Sequence, residues 1–242
     1  MQEDQIILVD KPAGISSFGV VAKVRGHLKA EFGHKVKVGH TGTLDPFATG
    51  LLILLSGKMT KKSTEFLKHD KVYEATLKLG YTSTTGDPEG EIQESSLSGP
   101  RPSGPSPRAD GANSRAAALR NAPTKDFLKS TIKSFIGEIT QTPPKFSAIK
   151  INGQRAYKLA RKGENFEIPS RKVTVYSIDI LDYNYPKLKI RCHVSSGTYI
   201  RTLAEDIGKA LGTGAYLTAL RRTKIADYKV EDAHPLSDFT AD

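Results

Sequence analysis

Alternating apolar and polar side chains recur in widely separated segments, and they restrict the fold of this chain more than any other feature. Residues 71–80, KVYEATLKLG, turn Tyr73 and every second residue after it toward one face, as in a half-buried strand. Residues 171–181, RKVTVYSIDIL, and 187–197, KLKIRCHVSSG, predict two further strands. The last of these directs Cys192 into the core, where we expect an unreactive thiol.

Helical segments are interspersed with these strands. The segment IILVDKP (6–12) predicts a strand, and Ser16 or Ser17 then caps a helix that ends at Gly33. A second predicted helix follows Thr124, and its shared apolar face comprises Phe127, Leu128, Ile132, Phe135 and Ile136.

The C-terminal half continues the mixture of strands and helices. Residues 146–163 predict a strand, a turn at Asn152-Gly153 and a short helix. A further helix places Leu203, Ile207 and Leu211 on its inner face, and we also assign Leu220 to a helix. Because strands and helices follow no regular βαβ alternation, the pattern favours an α+β fold with a mixed, mostly antiparallel sheet and flanking helices.

Residues 95–122 break this pattern, because proline, glycine, serine and alanine dominate them. Leu97 and Leu119 are their only large apolar side chains, so the segment buries too little surface to offset the entropy lost on ordering. We therefore expect a disordered, low-complexity insertion. Either its four arginines contact RNA or it is a passive linker.

An excess of basic residues indicates the class of partner. The 242-residue chain has 36 Lys and Arg against 26 Asp and Glu, a formal charge of +10, which suits a nucleic acid. Basic charge without such a partner is the alternative. The single cysteine excludes an internal disulfide, and the six histidines lack metal-ligand spacing. The longest apolar run is far shorter than the about 20 residues of a membrane span, and no signal peptide is present, so we expect a cytoplasmic protein.

Residues 38–52, VGHTGTLDPFATGLL, place Asp45 before a proline and between glycines. The proline favours extended backbone at Asp45, and the glycines allow a ligand to approach closely. A phosphate-binding loop is excluded because the segment lacks the required lysine. From these residues alone, Asp45 is either a catalytic carboxylate or a turn residue.

Six short segments together carry a family resemblance. They are DKPAGISS (10–17), GHTGTLDPFATGLL (39–52), KVYEATLKLG (71–80), FSAIKINGQRAY (146–157), SSGTYIRTLAEDIG (195–208) and LTALRR (217–222). In this order and spacing they resemble the TruB family of pseudouridine synthases, from Ile6 to Lys224. The resemblance implies isomerisation of uridine to pseudouridine, typically at uridine 55 in the T-loop of tRNA, without cofactor or metal. It also implies the pseudouridine synthase catalytic fold with an RNA-binding cleft.

The chemistry of this family gives Asp45 a role. Pseudouridine formation cleaves a C–N glycosidic bond, rotates the uracil and rejoins it through C5, which requires a carboxylate at the sugar carbon. The resemblance places Asp45 there, either to attack C1′ or to remove a ribose proton. It also implies that Arg201 pairs with Asp45 and keeps it ionised, whereas a structural surface arginine is the alternative.

The resemblance relates the remaining site residues to the substrate base. Tyr73 would stack on the uracil and help to remove the C5 proton, although its core-facing position also fits plain packing. Tyr199 and Leu220 would line the pocket of the flipped base, although Leu220 on a helix also fits the core. His40 would hold the loop that the base has left, with a structural role as the alternative. Lys11 belongs to the first motif, to which we assign a structural part.

The resemblance also predicts the domain organisation and the binding partner. We expect one catalytic domain over residues 1–242, with the insertion at 95–122 and without the C-terminal PUA-type module common in the family. The expected partner is the T-stem-loop of tRNA, bound by a monomer without an obligatory protein partner. The alternatives are a synthase that modifies another RNA or uses a guide RNA, and a non-catalytic tRNA-binding chaperone. The set of Asp45, Tyr73 and Arg201 favours catalysis, since a pure binder needs no paired carboxylate.

Overall fold

The computed structural model describes residues 2–96, 122–151 and 153–239, and the chain folds as an α+β protein. Within these ranges, ten strands form one large, mostly antiparallel sheet, as predicted from the alternating segments. In chain order the elements are β1 (Ile6–Lys11), α1 (Ser17–Phe32), β2 (Val38–His40), β3 (Thr49–Ser56), α2 (Ser63–Leu67), β4 (Lys71–Leu79), β5 (Tyr81–Ser83), β6 (Ile92–Glu94), α3 (Lys125–Lys133), β7 (Gly137–Gln141), β8 (Lys150–Ile151), β9 (Gln154–Arg155), α4 (Ala156–Arg161), β10 (Arg171–Asn184), β11 (Lys187–Val194), α5 (Ile200–Ala210), β12 (Ala215–Ile225), β13 (Tyr228–Lys229) and β14 (His234–Pro235). Short 3-10 turns lie at Gly57–Lys62, Val230–Asp232 and Leu236–Phe239.

The chain divides into two compact units. Unit 1 comprises Met1–Glu74, Cys192–Gly197 and Ala219–Asp242, and unit 2 comprises Ala75–Arg191 and Thr198–Thr218. Unit 1 therefore contains β1 to β3, α1 and α2, whereas unit 2 contains β5 to β10 and α3 to α5.

In unit 1, β3 is buried on both faces and organises the core. Leu52 and Leu54 pack in one apolar cluster with residues of β1 and α1, and Leu51, Ile53 and Leu55 pack in a second cluster on the opposite face. One edge of β3 pairs antiparallel with β1 along its length. The other edge is shared by β12, which pairs at the start of β3, and β2, which pairs at its end.

Helix α1 begins and ends as its sequence predicts. The side chain of Ser16 accepts a hydrogen bond from the Gly19 N–H at 3.0 Å, and the helix ends at Gly33 with a φ of 75°. Its buried residues include Val20, Val24 and Leu28, which lie on one face of the helix.

In unit 2, β10 pairs antiparallel with β7, and two short hairpins are formed by β5 with β6 and by β8 with β9. Leu203 and Ile207 of α5 are fully buried, as predicted. The strand predicted in residues 146–163 is only the two residues of β8, and Asn152 of the predicted turn lies outside the described residues. Residues 97–121, most of the predicted insertion, lie outside them as well.

The prediction of the helix after Thr124 was wrong in part. The apolar face predicted after Thr124 included Phe127 and Ile136, but these side chains are 37% and 45% exposed. Helix α3 ends at Lys133, and it buries Leu128 and Ile132, which lie four residues apart on one face.

No described helix is long and apolar enough to cross a bilayer.

Candidate active site

Asp45 lies in the loop that connects β2 to β3, which we call the Asp45 loop (residues 41–48). The N–H of Ala48 donates to the Asp45 carbonyl at 3.1 Å, so residues 45–48 form a turn with Pro46 in its second position. Proline favours that position because its φ is fixed near the value that the turn requires. Asp45 itself is half-buried.

The DKPAGISS segment holds the backbone on both sides of Asp45. Ser17 Oγ donates to the Leu44 carbonyl at 2.9 Å and accepts from the Leu44 N–H at 2.8 Å, and all of these atoms are buried. On the other side, the N–H of Gly14 donates to the Pro46 carbonyl at 2.9 Å. The residues before and after Asp45 are therefore fixed by hydrogen bonds to their backbone.

Lys11 adds a buried cation to this segment. Its side chain is fully buried, and its ammonium donates to the carbonyls of Pro12, Ile15 and Pro46 at 2.8, 2.7 and 3.1 Å. A buried charge is tolerated when hydrogen bonds replace its hydration. Lys11 thus links the first motif to the Asp45 loop, which agrees with the structural part expected for it.

Arg222 holds the Asp45 loop from β12. Its side chain is 1% exposed, with Nε donating to the Leu51 carbonyl at 2.8 Å and a terminal nitrogen donating to the Gly42 carbonyl at 3.1 Å. Leu51 follows the loop in β3, and Gly42 lies near the start of the loop. Arg222 was not predicted as a site residue, and its one signal in the sequence is its place in the LTALRR motif.

Gly50 allows β12 to approach β3 closely. Its φ is +102°. A Cβ at this position would lie 2.8 Å from the backbone nitrogen of Arg222 and would overlap the backbone carbonyl oxygen of Arg222. We expect Gly50→Ala to lower the free energy of unfolding by about 3 kcal/mol or more, measured by urea denaturation. In the control Gly26→Ala on α1, no described atom outside that helix lies within 4 Å of the new Cβ, so stability should rise by about 0.5–1 kcal/mol. Equal midpoints for the two variants would contradict this account.

The structure places His40, Tyr73 and Leu220 in unit 1 with Asp45. His40 ends β2, and its Nδ1 accepts from the Gly42 N–H at 3.4 Å at the start of the Asp45 loop. Tyr73 lies in β4, is 7% exposed and is buried in the alternating pattern that the sequence predicts.

Leu220 lies in β12, so its assignment to a helix was wrong. The parallel register sets Arg221, the next residue, opposite Thr49 at the start of β3. Pairing with β3 therefore makes this segment a strand. Leu220 is 7% exposed.

Tyr199 and Arg201 begin α5 in unit 2. The backbone N–H of Tyr199 donates to Gln141 Oε1 at 2.7 Å, and Gln141 Nε2 donates back to the Tyr199 carbonyl at 3.0 Å. The Arg171 guanidinium carbon lies 4.9 Å from the centre of the Tyr199 ring, within the range of a cation–π contact. These contacts fix the tyrosine at the helix start.

Arg201 forms a buried ion pair with Asp87, which the sequence analysis missed. A terminal nitrogen of Arg201 lies 3.1 Å from Asp87 Oδ2, and the two side chains are 4% and 3% exposed. The guanidinium also donates to the carbonyls of Thr85 at 3.0 Å and Phe146 at 2.8 Å. The expected pairing of Arg201 with Asp45 joins residues of the two units and stays a prediction.

Glu205, one turn along α5 from Arg201, is a second carboxyl close to this ion pair. Burial raises the pKa of Glu205, and the nearby Asp206 and Asp87 carboxylates act in the same direction, whereas Lys209 and Arg201 oppose them. The charges of Arg201 and Asp87 therefore also affect the pKa of Glu205.

We also searched the described residues for metal-binding clusters and free thiols. There, no cluster of three or more His, Cys, Asp or Glu side chains is placed to bind a metal ion. Cys192 is fully buried, and this burial raises the pKa of its thiol to about 12. The predicted core position of Cys192 is thus confirmed, and its raised pKa agrees with an unreactive thiol.

Comparison with known proteins identifies the family. The model of the TruB family pseudouridylate synthase N-terminal domain matches residues 28–102 and 107–200, and that of the tRNA pseudouridylate synthase B C-terminal domain matches residues 201–242. The tRNA pseudouridine synthase B of Phocaeicola vulgatus is 42% identical over 98% of this chain and 92% of its own length. That of Aquifex aeolicus is 43% identical over 98% of this chain and 73% of its own length.

Solved structures show the same fold. A chain in the crystal structure of a Cbf5–Nop10–Gar1 complex superposes with a TM-score of 0.66 at 30% identity, covering 98% of this chain and 53% of that one. A chain in an H/ACA RNP bound to a substrate RNA containing 2′-deoxyuridine gives a TM-score of 0.63 at 27% identity, covering 98% and 52%. This chain thus spans about half the length of those solved chains. With both family models matched and close relatives aligned over nearly its whole length, the chain belongs to the TruB family of pseudouridine synthases.

Proposed function

We propose that the protein isomerises uridine 55 in the T-loop of tRNA to pseudouridine, with Asp45 as the essential carboxylate. The observation that carries the proposal is the Asp45 loop, whose backbone is fixed by Ser17, Lys11 and Arg222. A carboxylate held in this way is preorganised for attack or proton transfer at a sugar carbon. The relatives named tRNA pseudouridine synthase B support tRNA as the substrate.

The reaction is an isomerisation and balances without a second substrate. The bond from C1′ to N1 of uracil breaks, a bond from C1′ to C5 forms, the C5 proton leaves and N1 ends protonated. Asp45 acts at the sugar, and Arg201 supports its ionised form. Tyr73 stacks on the uracil and assists removal of the C5 proton, while Tyr199 and Leu220 line the pocket of the flipped base. His40, at the start of the Asp45 loop, holds the RNA loop after the base has left.

Tritium release tests the proposal directly. The purified protein should release tritium from tRNA labelled at C5 of uridine, because forming the C1′–C5 bond removes that hydrogen. A tRNA transcript with cytidine at position 55 should yield no pseudouridine in the T-loop. A non-catalytic chaperone would bind tRNA without tritium release, and product at another uridine would point to a different target.

We also propose that the protein acts in the cytoplasm as a monomer without a protein partner. Light scattering after size-exclusion chromatography, combined with activity of the purified chain alone, tests it. A requirement for an added protein would contradict the proposal.

Tyr73→Phe should bind tRNA but fail to complete pseudouridine. Phenylalanine keeps the ring that stacks on a base, a contact that contributes about 1–3 kcal/mol, but it lacks the hydroxyl that assists removal of the C5 proton. Tyr73→Leu should lose product and also bind tRNA more weakly, since it removes the ring as well. The measurement is single-turnover product formation together with tRNA affinity for each variant. Wild-type rates in Tyr73→Phe would reduce Tyr73 to a packing residue.

A further inference from the structure

We propose that the hydroxyl of Ser147 contacts the uracil of the target nucleotide beside Arg201, an inference that rests on the proposed function. Ser147 belongs to unit 2 and is 4% exposed. Among the residues that the structure describes, none provides a hydrogen-bond partner for its Oγ. Buried polar side-chain atoms nearly always have a partner, and an unpaired one is destabilising. A partner supplied by the substrate accounts for this hydroxyl.

The backbone around Ser147 is fixed by hydrogen bonds to consecutive carbonyls. The Phe146 carbonyl accepts from Arg201 at 2.8 Å, and the Ser147 carbonyl accepts from the Tyr157 N–H at 3.0 Å. The Ala148 carbonyl accepts from Arg155 at 3.1 Å. These bonds hold the backbone of residues 146–148 in place. The hydroxyl is therefore preorganised for a group from outside the protein.

The charges next to Ser147 favour a neutral polar ligand group. Arg201 contacts the neighbouring carbonyl of Phe146, and its charge is balanced by Asp87 at 3.1 Å. A balanced ion pair gives little net attraction for an additional phosphate. A serine hydroxyl donates one hydrogen bond and accepts others, and the uracil edge presents two carbonyl oxygens and one N–H. The two sets of groups are complementary, so the structure assigns Ser147 to the base rather than to the RNA backbone.

The test compares Ser147→Ala with wild type on a T-stem-loop RNA transcript. We expect the single-turnover rate constant to fall about 10-fold, as for the loss of one substrate hydrogen bond. The RNA affinity should stay within about 2-fold, because phosphate contacts dominate it. The melting temperature should stay the same or rise, since the substitution removes an unpaired buried hydroxyl. Ser147→Cys, of similar size and with a weak donor, should have an intermediate rate.

Ser130→Ala is the matched control, because Ser130 is an exposed serine of unit 2 whose hydroxyl donates to its own helix at the Phe127 carbonyl. It should keep the wild-type rate. A Ser147→Ala variant with a lower melting temperature and an unchanged rate would show a structural role and overturn the inference. An active wild type with an equally active Ser147→Ala would overturn the inference alone, whereas an inactive wild type would overturn the proposed function with it.

Discussion

Asp45→Asn should abolish pseudouridine formation while leaving the fold and the affinity for tRNA nearly unchanged. The loop does not depend on the carboxylate charge for its hydrogen bonds to Ser17, Gly14 and Arg222, because these bonds are made by backbone atoms of Leu44, Pro46 and Gly42. Asparagine has nearly the same shape as aspartate but cannot act as a nucleophile or base. We expect the single-turnover rate constant to fall by at least about 10⁴-fold.

Two further measurements separate this loss from unfolding or lost binding. The urea midpoint should stay close to that of the wild type, and tRNA affinity should stay within a few fold, since phosphate contacts provide most of it. Asp227→Asn, which removes an exposed carboxylate from the turn after β12, should retain activity. Substantial product from purified Asp45→Asn would show that another group performs the chemistry at the sugar.

Local sequence patterns predicted the elements that frame this site. Period-two alternation identified β4, in which Tyr73 is buried as expected, because a strand places successive side chains on opposite faces. The start of α1 was predicted at Ser16 or Ser17, and the side chain of Ser16 accepts a hydrogen bond from the N–H three residues ahead. Both patterns involve residues that are close together in the chain, so they can be recognised in a single sequence.

The contacts that hold the site were not predictable in the same way. Arg222 is 180 residues from Gly42, and Arg201 is 114 residues from Asp87. No local sequence pattern can therefore predict either contact. A buried arginine and an exposed one look the same in sequence, and tertiary pairing decides between them. Leu220 was misassigned for the same reason, because its strand forms by pairing with Thr49 and Gly50 of β3, far away in the chain.

Arg222→Ala should cause a large loss of stability. It leaves the buried carbonyl of Leu51 and the part-buried carbonyl of Gly42 without this donor and removes a large packed side chain. Each unpaired buried group costs about 1–3 kcal/mol, so we expect the free energy of unfolding to fall by about 3–5 kcal/mol. Urea denaturation followed by circular dichroism measures this change.

Arg221→Ala provides a matched control at the neighbouring position. Arg221 makes two hydrogen bonds with Asp10, at 3.0 and 2.7 Å, but its side chain is 40% exposed, so the loss should be at most about 1 kcal/mol. Under conditions where both variants are folded, Arg222→Ala should also slow pseudouridine formation by about 100-fold, because a small displacement of Asp45 disturbs the reacting geometry. Similar losses of stability in the two variants would mean that the buried carbonyl contacts of Arg222 are not what holds the loop. A stable Arg222→Ala with normal turnover would mean that Ser17 and Lys11 suffice to position Asp45.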